Sequence, residues 1–125
     1  MLLVDGHNVI GRARGLSLSD EEASREELLR RIGAAKGSGG ERVVVFFDGD
    51  RPQSTRESFG GIAVVYAPAS RTADDEIIRR VEASKGQQIT VVTSDRELAG
   101  KVRARGASTL TIEAFWQQLT QPKST

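Results

Sequence analysis

Apolar residues along this chain fall into two rhythms. Short continuous runs rich in Val, Ile and Phe occupy residues 2–4, 43–47, 62–66, 89–93 and 109–112. They are continuous rather than alternating, the pattern of parallel strands covered on both faces. The segments between them carry helical signals. Ser19 with Glu22 spells a capping box ahead of a helix over residues 23–36, and Gly37 stands where a C-cap glycine would. Thr72 with Asp75, and Ser94 with Glu97, repeat that spacing at two later helix starts, and Gly106 closes the second. A last amphipathic stretch, 113–119, carries Phe115, Trp116 and Leu119 and is expected to pack on the sheet edge. The order is strand, helix, strand, strand, helix, strand, helix, strand, helix. It predicts an α/β fold with a mainly parallel five-stranded central sheet and helices on both faces. Residues 37–40 read as a flexible connection, and residues 48–61 as one long irregular loop of a length often tied to function.

This pattern places four aspartates on one edge. Ligands of open α/β sheets bind beyond the carboxyl ends of the strands. Asp5 follows the first strand directly, Asp48 follows "VVVFF", Asp95 follows "ITVVTS", and Asp74 opens the helix after the third strand. Each has a structural reading as well: Asp5-Gly6 and Asp48-Gly49 are turn pairs, and Asp95 suits a first helical turn. Together they form a rim on which adjacent carboxylates raise one another's pKa unless a cation compensates. Helical geometry separates Asp74 from Asp75. Positions 74, 77, 78 and 81 make a stripe of Asp, Ile, Ile and Val, whereas 75, 79 and 82 are all charged. Asp74 therefore shares the buried side of its helix, where a charge needs a partner or a metal. Asp75 is the capping acid of Thr72.

Composition narrows the chemistry. At 125 residues, with 38% hydrophobic and 28% charged residues, the chain reads as one globular domain, 1–125. It has no cysteine and one histidine, so disulfides and Cys-ligated zinc are excluded and an acidic site points to Mg²⁺ or Mn²⁺. No apolar run approaches the roughly 20 residues of a membrane span. No basic segment precedes the first apolar stretch, so no signal peptide is expected and a cytoplasmic location is. Net charge is +1, without the global basic field of a DNA-coating protein, and DNA is not an expected partner. Arginine outnumbers lysine by 14 to 4. That suits bidentate phosphate contacts, although genomic bias explains it equally well. Aromatic residues make up 5%, too few for a long base-stacking platform.

Four stretches carry a resemblance over nearly the whole chain: "LLVDGHNVIG", "VVVFFDGD", "RTADDEIIRRV" and "VVTSDRELAGKVRARGA". In this order they resemble the YacP-like group of NYN-domain ribonucleases, which share the PIN-like nuclease fold. The resemblance implies a three-layer α/β/α domain and a metal-dependent endoribonuclease cutting single-stranded RNA. That RNA would be messenger RNA, with the ribosome as a candidate partner. Asp5, Asp74 and Asp95 match the family's acidic constellation as metal ligands and catalytic groups, with Asp48 as a fourth member. Asn8 matches the signature asparagine, orienting a carboxylate or touching substrate. His7 departs from the tyrosine of many relatives; it would stack on a base or bind phosphate, or stand there as an exposed residue without a chemical role.

Phosphodiester hydrolysis needs an activated water, neutralisation of developing charge and a stabilised leaving oxygen, all of which carboxylate-held metal can supply. Asp48 is the candidate for positioning the attacking water, and the products would carry 5′-phosphate and 3′-hydroxyl ends. Arg71 and Arg96 flank two of the acids and would clamp phosphates or pair with the cluster. Thr93 and Ser94 would place hydroxyls near phosphate or the metal's water shell, with capping the competing job for Ser94. Arg51 and Arg56 would grip RNA from the long loop. Two rivals remain at this stage. One is a haloacid-dehalogenase-type phosphatase with Asp48 as nucleophile and Asp50 as general acid, which leaves Asp5 and Asn8 idle. The other is a non-catalytic RNA- or ribosome-binding module.

Overall fold

The computed structural model describes residues 1–13, 15–36 and 41–120. Six strands form a single sheet: β1 (Leu2–Asp5), β2 (Val43–Phe47), β3 (Thr55–Phe59), β4 (Ile62–Tyr66), β5 (Thr90–Val92) and β6 (Ser108–Leu110). Their spatial order is β3-β4-β2-β1-β5-β6. All neighbours are parallel except β3, which runs antiparallel to β4. The helices are α1 (Gly6–Arg12), α2 (Glu21–Lys36), α3 (Ala73–Ala83), α4 (Arg96–Arg103) and α5 (Ile112–Thr120).

Two apolar layers sandwich the sheet. On one face Val4, Val43, Val45, Phe47 and Val64 meet Val9 and Ile10 of α1, Leu28 and Ile32 of α2, and Phe115 and Trp116 of α5. On the other, Leu3, Val44, Phe46, Val65 and Val91 meet Ile77 and Val81 of α3 and Leu98 and Val102 of α4. Alternate residues of one strand thus serve opposite layers, which explains why Val43–Phe47 is buried at every position. The α/β/α expectation is met, and the sheet is mainly parallel.

Four details differ from the sequence reading. The loop assigned to 48–61 contains the sixth strand. Thr55–Phe59 shows four exposed positions out of five, so it lacks the apolar signature that marks the other strands. It is held by backbone pairing with β4 through a two-residue turn in which Gly60 and Gly61 have φ of +56° and +84°. The second difference is α1, a seven-residue helix containing two glycines, too short and glycine-rich for periodicity to find. Third, α2 begins at Glu21 behind a 3₁₀ turn, Leu18–Asp20. The Ser17 hydroxyl accepts from the Ser19 amide at 3.2 Å there, replacing the expected Ser19–Glu22 box. Finally, α5 packs on α1 and α2 over one face rather than on the sheet edge. The expected Gly37 cap and the 37–40 connection lie outside the described residues.

Asp48 and its loop depend on a close backbone approach. A Cβ on Gly49 would stand 2.3 Å from the carbonyl oxygen of Ala67. Gly100, inside α4, has nothing within 4 Å of the same virtual atom. Gly49→Ala should therefore lower the unfolding free energy by about 1–3 kcal/mol through overpacking. Gly100→Ala should raise it by up to about 1 kcal/mol through helix propensity. Urea denaturation of the two variants side by side checks this, and equal effects would contradict it.

Candidate active site

The topology delivers the four aspartates to one rim. Asp5 ends the central strand β1; Asp48 follows its neighbour β2, and Asp95 lies just beyond its other neighbour β5. Helix α3 packs on β1 and β2 and brings Asp74 in its first turn. The placement of α3 rests on two caps. Thr72 and Asp75 form a reciprocal capping box, with Oγ1 of Thr72 accepting from the Asp75 amide at 3.2 Å and Oδ2 of Asp75 accepting from the Thr72 amide at 3.1 Å. From outside the helix, Oδ1 of Asp48 accepts from the Ala73 amide at 2.7 Å. Asp48 thus anchors the helix that presents Asp74, and Asp75 faces solvent as its helical position predicts.

Asp5 is the centre of the rim. It is 5% exposed, and its pKa is raised to about 6, first by burial, then by the Asp74 carboxylate, with Asp95 adding to it. The Thr93 hydroxyl opposes the shift, donating to Oδ2 of Asp5 at 3.2 Å. Asp74 is raised too, by burial and then by Asp95 and Asp48. These mutual effects establish that the four carboxylates share one field. No ion pair reaches Asp5, Asp74, Asp48 or Asp95 among the described residues.

A polar lattice fixes the rim from below. Oδ1 of Asn8 accepts from the Ser94 amide at 2.9 Å, tying α1 to the segment after β5. Oγ1 of Thr93 accepts from the Asp95 amide at 3.1 Å while donating towards Asp5. Asp95 itself caps α4, its Oδ1 accepting from the Glu97 and Leu98 amides at 2.9 and 3.3 Å. That cap was expected of Ser94. Instead the Ser94 hydroxyl accepts from the Ile112 amide at 3.0 Å and donates to Glu113 at 2.9 Å, fastening α5 to the rim. Asn8 is thus a positioning residue here. Ser94 has its hydroxyl committed to α5.

The arginines divide. Arg71 pairs with Glu76 at 2.9 Å, a partner outside the acidic cluster. Arg96 and Arg51 are exposed and form no ion pair among the described residues. Arg56 lies opposite Val65 of the α3-side core in the hairpin, and it also lines the cleft that begins at Asp48. Its charge, with that of Arg42, lowers the pKa of Arg80, after burial as the main cause. His7 lies with Nδ1 3.6 Å from Oε1 of Glu21. Sequence reasoning missed Arg25 of α2, which stands over the rings of Phe47 and Tyr66 at 5.2 and 5.7 Å. Arg25, Arg51 and Tyr66 line an open cleft of about 720 Å³ that begins at Asp48. No local signal marks Arg25, because its neighbours come from strands far along the chain.

The donor chemistry fits a hard divalent cation: carboxylate oxygens only, partly buried, with uncompensated charge. Among the described residues, however, no three acidic or histidine side chains already converge on one point as a ready-made cage.

A mainly parallel α/β/α domain with an acidic rim at its strand ends is the arrangement expected of PIN-like nucleases. The chain belongs to the YacP-like NYN domain family, whose profile it matches over residues 2–125. It is 28% identical over 114 residues to the uncharacterized protein YacP of Bacillus subtilis (strain 168), covering 86% of this chain and 67% of that one. The crystal structure of Rae1 (YacP) from Bacillus subtilis, in a mutant form, superposes with a TM-score of 0.81 at 26% identity, covering 94% of this chain and 73% of that one. A second Rae1 (YacP) crystal structure gives 0.78 at 26% identity, over 95% and 72%. Family membership supports a nuclease function directed at RNA. No helix among the described residues is long and apolar enough to cross a membrane.

The raised pKa of Asp5 has a consequence for stability. Folded Asp5 holds its proton up to about 6, whereas the unfolded chain releases it near the ordinary 3.8. Between those values the folded state binds the extra proton, so stability present at low pH is lost as pH rises through this window. In chelator, the chain should lose on the order of 2–3 kcal/mol from this group between about pH 4 and pH 6. Asp5→Asn should remove that slope and be the more stable protein at pH 7. Urea denaturation across pH, with EDTA present, compares the two; parallel pH profiles would refute the assignment.

Proposed function

We propose that this domain is a metal-dependent endoribonuclease that hydrolyses phosphodiester bonds of single-stranded RNA at the rim of Asp5, Asp74, Asp95 and Asp48. The observation that carries the reading is Asp5: a buried carboxylate, pushed up by burial and by Asp74, with no ion pair among the described residues. A purely structural residue in that place would cost stability without return. Family membership supports the same chemistry.

Asp5, Asp74 and Asp95 would hold Mg²⁺ or Mn²⁺, directly or through its waters. When bound, the ion supplies charge neutralisation at the scissile phosphate and lowers the pKa of water. The chain's own residues do the rest. Thr93 fixes the Asp5 carboxylate, and Asn8 fixes the Thr93–Ser94 turn that carries Asp95. Asp48 has one oxygen on the Ala73 amide; its second oxygen accepts a proton from the attacking water and orients it. The single histidine, His7, has its Nδ1 3.6 Å from Glu21. Attack by water with the 3′-oxygen as leaving group, which takes up a proton, leaves 5′-phosphate and 3′-hydroxyl ends. Messenger RNA presented on a ribosome, in the cytoplasm, is the substrate this reading favours.

Labelled single-stranded RNA should be cut in Mg²⁺ or Mn²⁺. Cutting should stop in EDTA and in Asp74→Asn, and the fragments should ligate through 5′-phosphates. Cyclic 2′,3′-phosphate ends would overturn the mechanism. No cleavage of free RNA by folded protein, followed by cleavage when ribosomes are added, would assign a presented substrate. No cleavage in either case would remove the enzyme reading.

A further inference from the structure

The rim explains the chemistry but not how a strand is held, and the cleft beside it offers the means. It lies between the start of α2 and the β3–β4 hairpin and opens at Asp48. One wall is the ring of Tyr66, stacked on Phe47 with centroids 5.7 Å apart and planes inclined by 28°. Phe47 is buried and braces Tyr66, which lines the cleft. Arg25 forms the second wall, its guanidinium over both rings. Its polar contacts are long: 3.5 Å to the Tyr66 hydroxyl and 3.6 Å to Glu21, and its buried Nε has no hydrogen-bond partner among the described residues. The charge of Arg25 is therefore only loosely satisfied. Arg51 stands exposed at the mouth without an ion pair among the described residues.

The remaining lining decides what kind of ligand fits. A site for a bare anion would exclude carboxylates, yet Asp48, Asp50 and Glu57 share the cleft, with Arg56 and the amide of Gln53. A nucleotide unit needs that mixture. Its phosphate meets guanidinium, its base stacks on an aromatic face, and its ribose hydroxyls and base amino groups donate to carboxylate and amide oxygens. A volume of about 720 Å³ is ample for one such unit.

We infer that this cleft is a subsite for one nucleotide of a single RNA strand, adjacent to the cleaved bond, with Arg51 and Arg25 taking phosphate and Tyr66 taking the base. The inference rests on the nuclease reading for its substrate class but assigns residues that reading does not need. It also locates a single stacking position in a chain whose aromatic content allows no extended platform.

The test separates binding from chemistry by working in EDTA, with a short fluorescently labelled single-stranded RNA and anisotropy as readout. Arg51→Glu should weaken binding about tenfold and flatten the log–log salt slope by about one. Tyr66→Leu should weaken it by a similar factor, whereas Tyr66→Phe, which keeps the ring, should bind nearly as wild type. Arg79→Glu makes the same charge change on the exposed side of α3 and should have little effect. Circular dichroism on each variant confirms the fold, and Arg51, exposed and unpaired, is the variant least able to disturb it. Equal binding by wild type and Arg51→Glu, equal losses in Arg51→Glu and Arg79→Glu, or no RNA binding by wild type would each overturn the subsite. Cleavage in metal that persists through any of these results would leave the nuclease reading standing, so the two can fail separately.

Discussion

The constraint on which this structure turns is the burial of one carboxylate, Asp5, at the end of the central strand among three others. Isolated charge in a protein interior costs several kcal/mol, and folds normally respond with an ion pair or by removing the charge. Here the cations go elsewhere: Arg71 to Glu76, Arg12 to Glu113, Arg25 towards Glu21, Lys101 to Glu97. Lys101 lowers the pKa of Asp74, as the smallest of the influences on it. The chain could have matched these partners to the rim and did not. The result is concentrated negative potential on rigid supports, the condition that the proposed divalent cation would relieve.

Such a rim survives because its supports are overdetermined. Asn8, Thr93, Ser94 and Asp95 link the start of α1, the end of β5, the first turn of α4 and the start of α5 by hydrogen bonds of 2.9–3.2 Å. Each group in the lattice serves two masters. Asp95 caps a helix and faces Asp74; Asp48 anchors α3 and stays exposed; Thr93 accepts from one aspartate's amide and donates to another's carboxylate. Capping needs one carboxylate oxygen, which leaves the other available. The choice between structural and chemical roles, open when the sequence is read alone, is therefore not exclusive for Asp48 and Asp95.

Legibility followed burial. Val43–Phe47, Ile62–Tyr66 and the core stripe of α3 are dominated by apolar contacts, and their residue patterns announce them. The rim was legible for the same reason, since strand ends in a parallel sheet are fixed once the strands are. What stayed hidden is held by backbone pairing or by distant partners. Thr55–Phe59 is a strand through its hydrogen bonds to β4, with side chains that face water. Ser94 gave up its expected cap because Glu113 and the Ile112 amide, far along the chain, compete for its hydroxyl. Arg25 became a wall of the cleft only once β2 and β4 placed Phe47 and Tyr66 beneath it.

These two classes of element divide the labour of the site. The carboxylates stand on the centre of the sheet, where β1 is paired on both sides and buried on both faces; such elements open last and hold geometry best. The cleft is built against β3, an edge strand paired only to β4 and turned by two glycines, with Phe59 left 41% exposed. An edge hairpin of this kind sits at the low-stability end of a fold. On the proposed reading, chemistry that needs fixed distances would rest on the rigid centre, and the grip on a flexible strand on the edge hairpin. Asp48 is where they meet: it caps α3 on one side, lines the cleft on the other, and follows directly from the fully buried β2. A strand drawn into the cleft would be carried past Asp48 towards Asp74 and Asp5, so the register of binding and the place of cleavage would be set by one residue common to both.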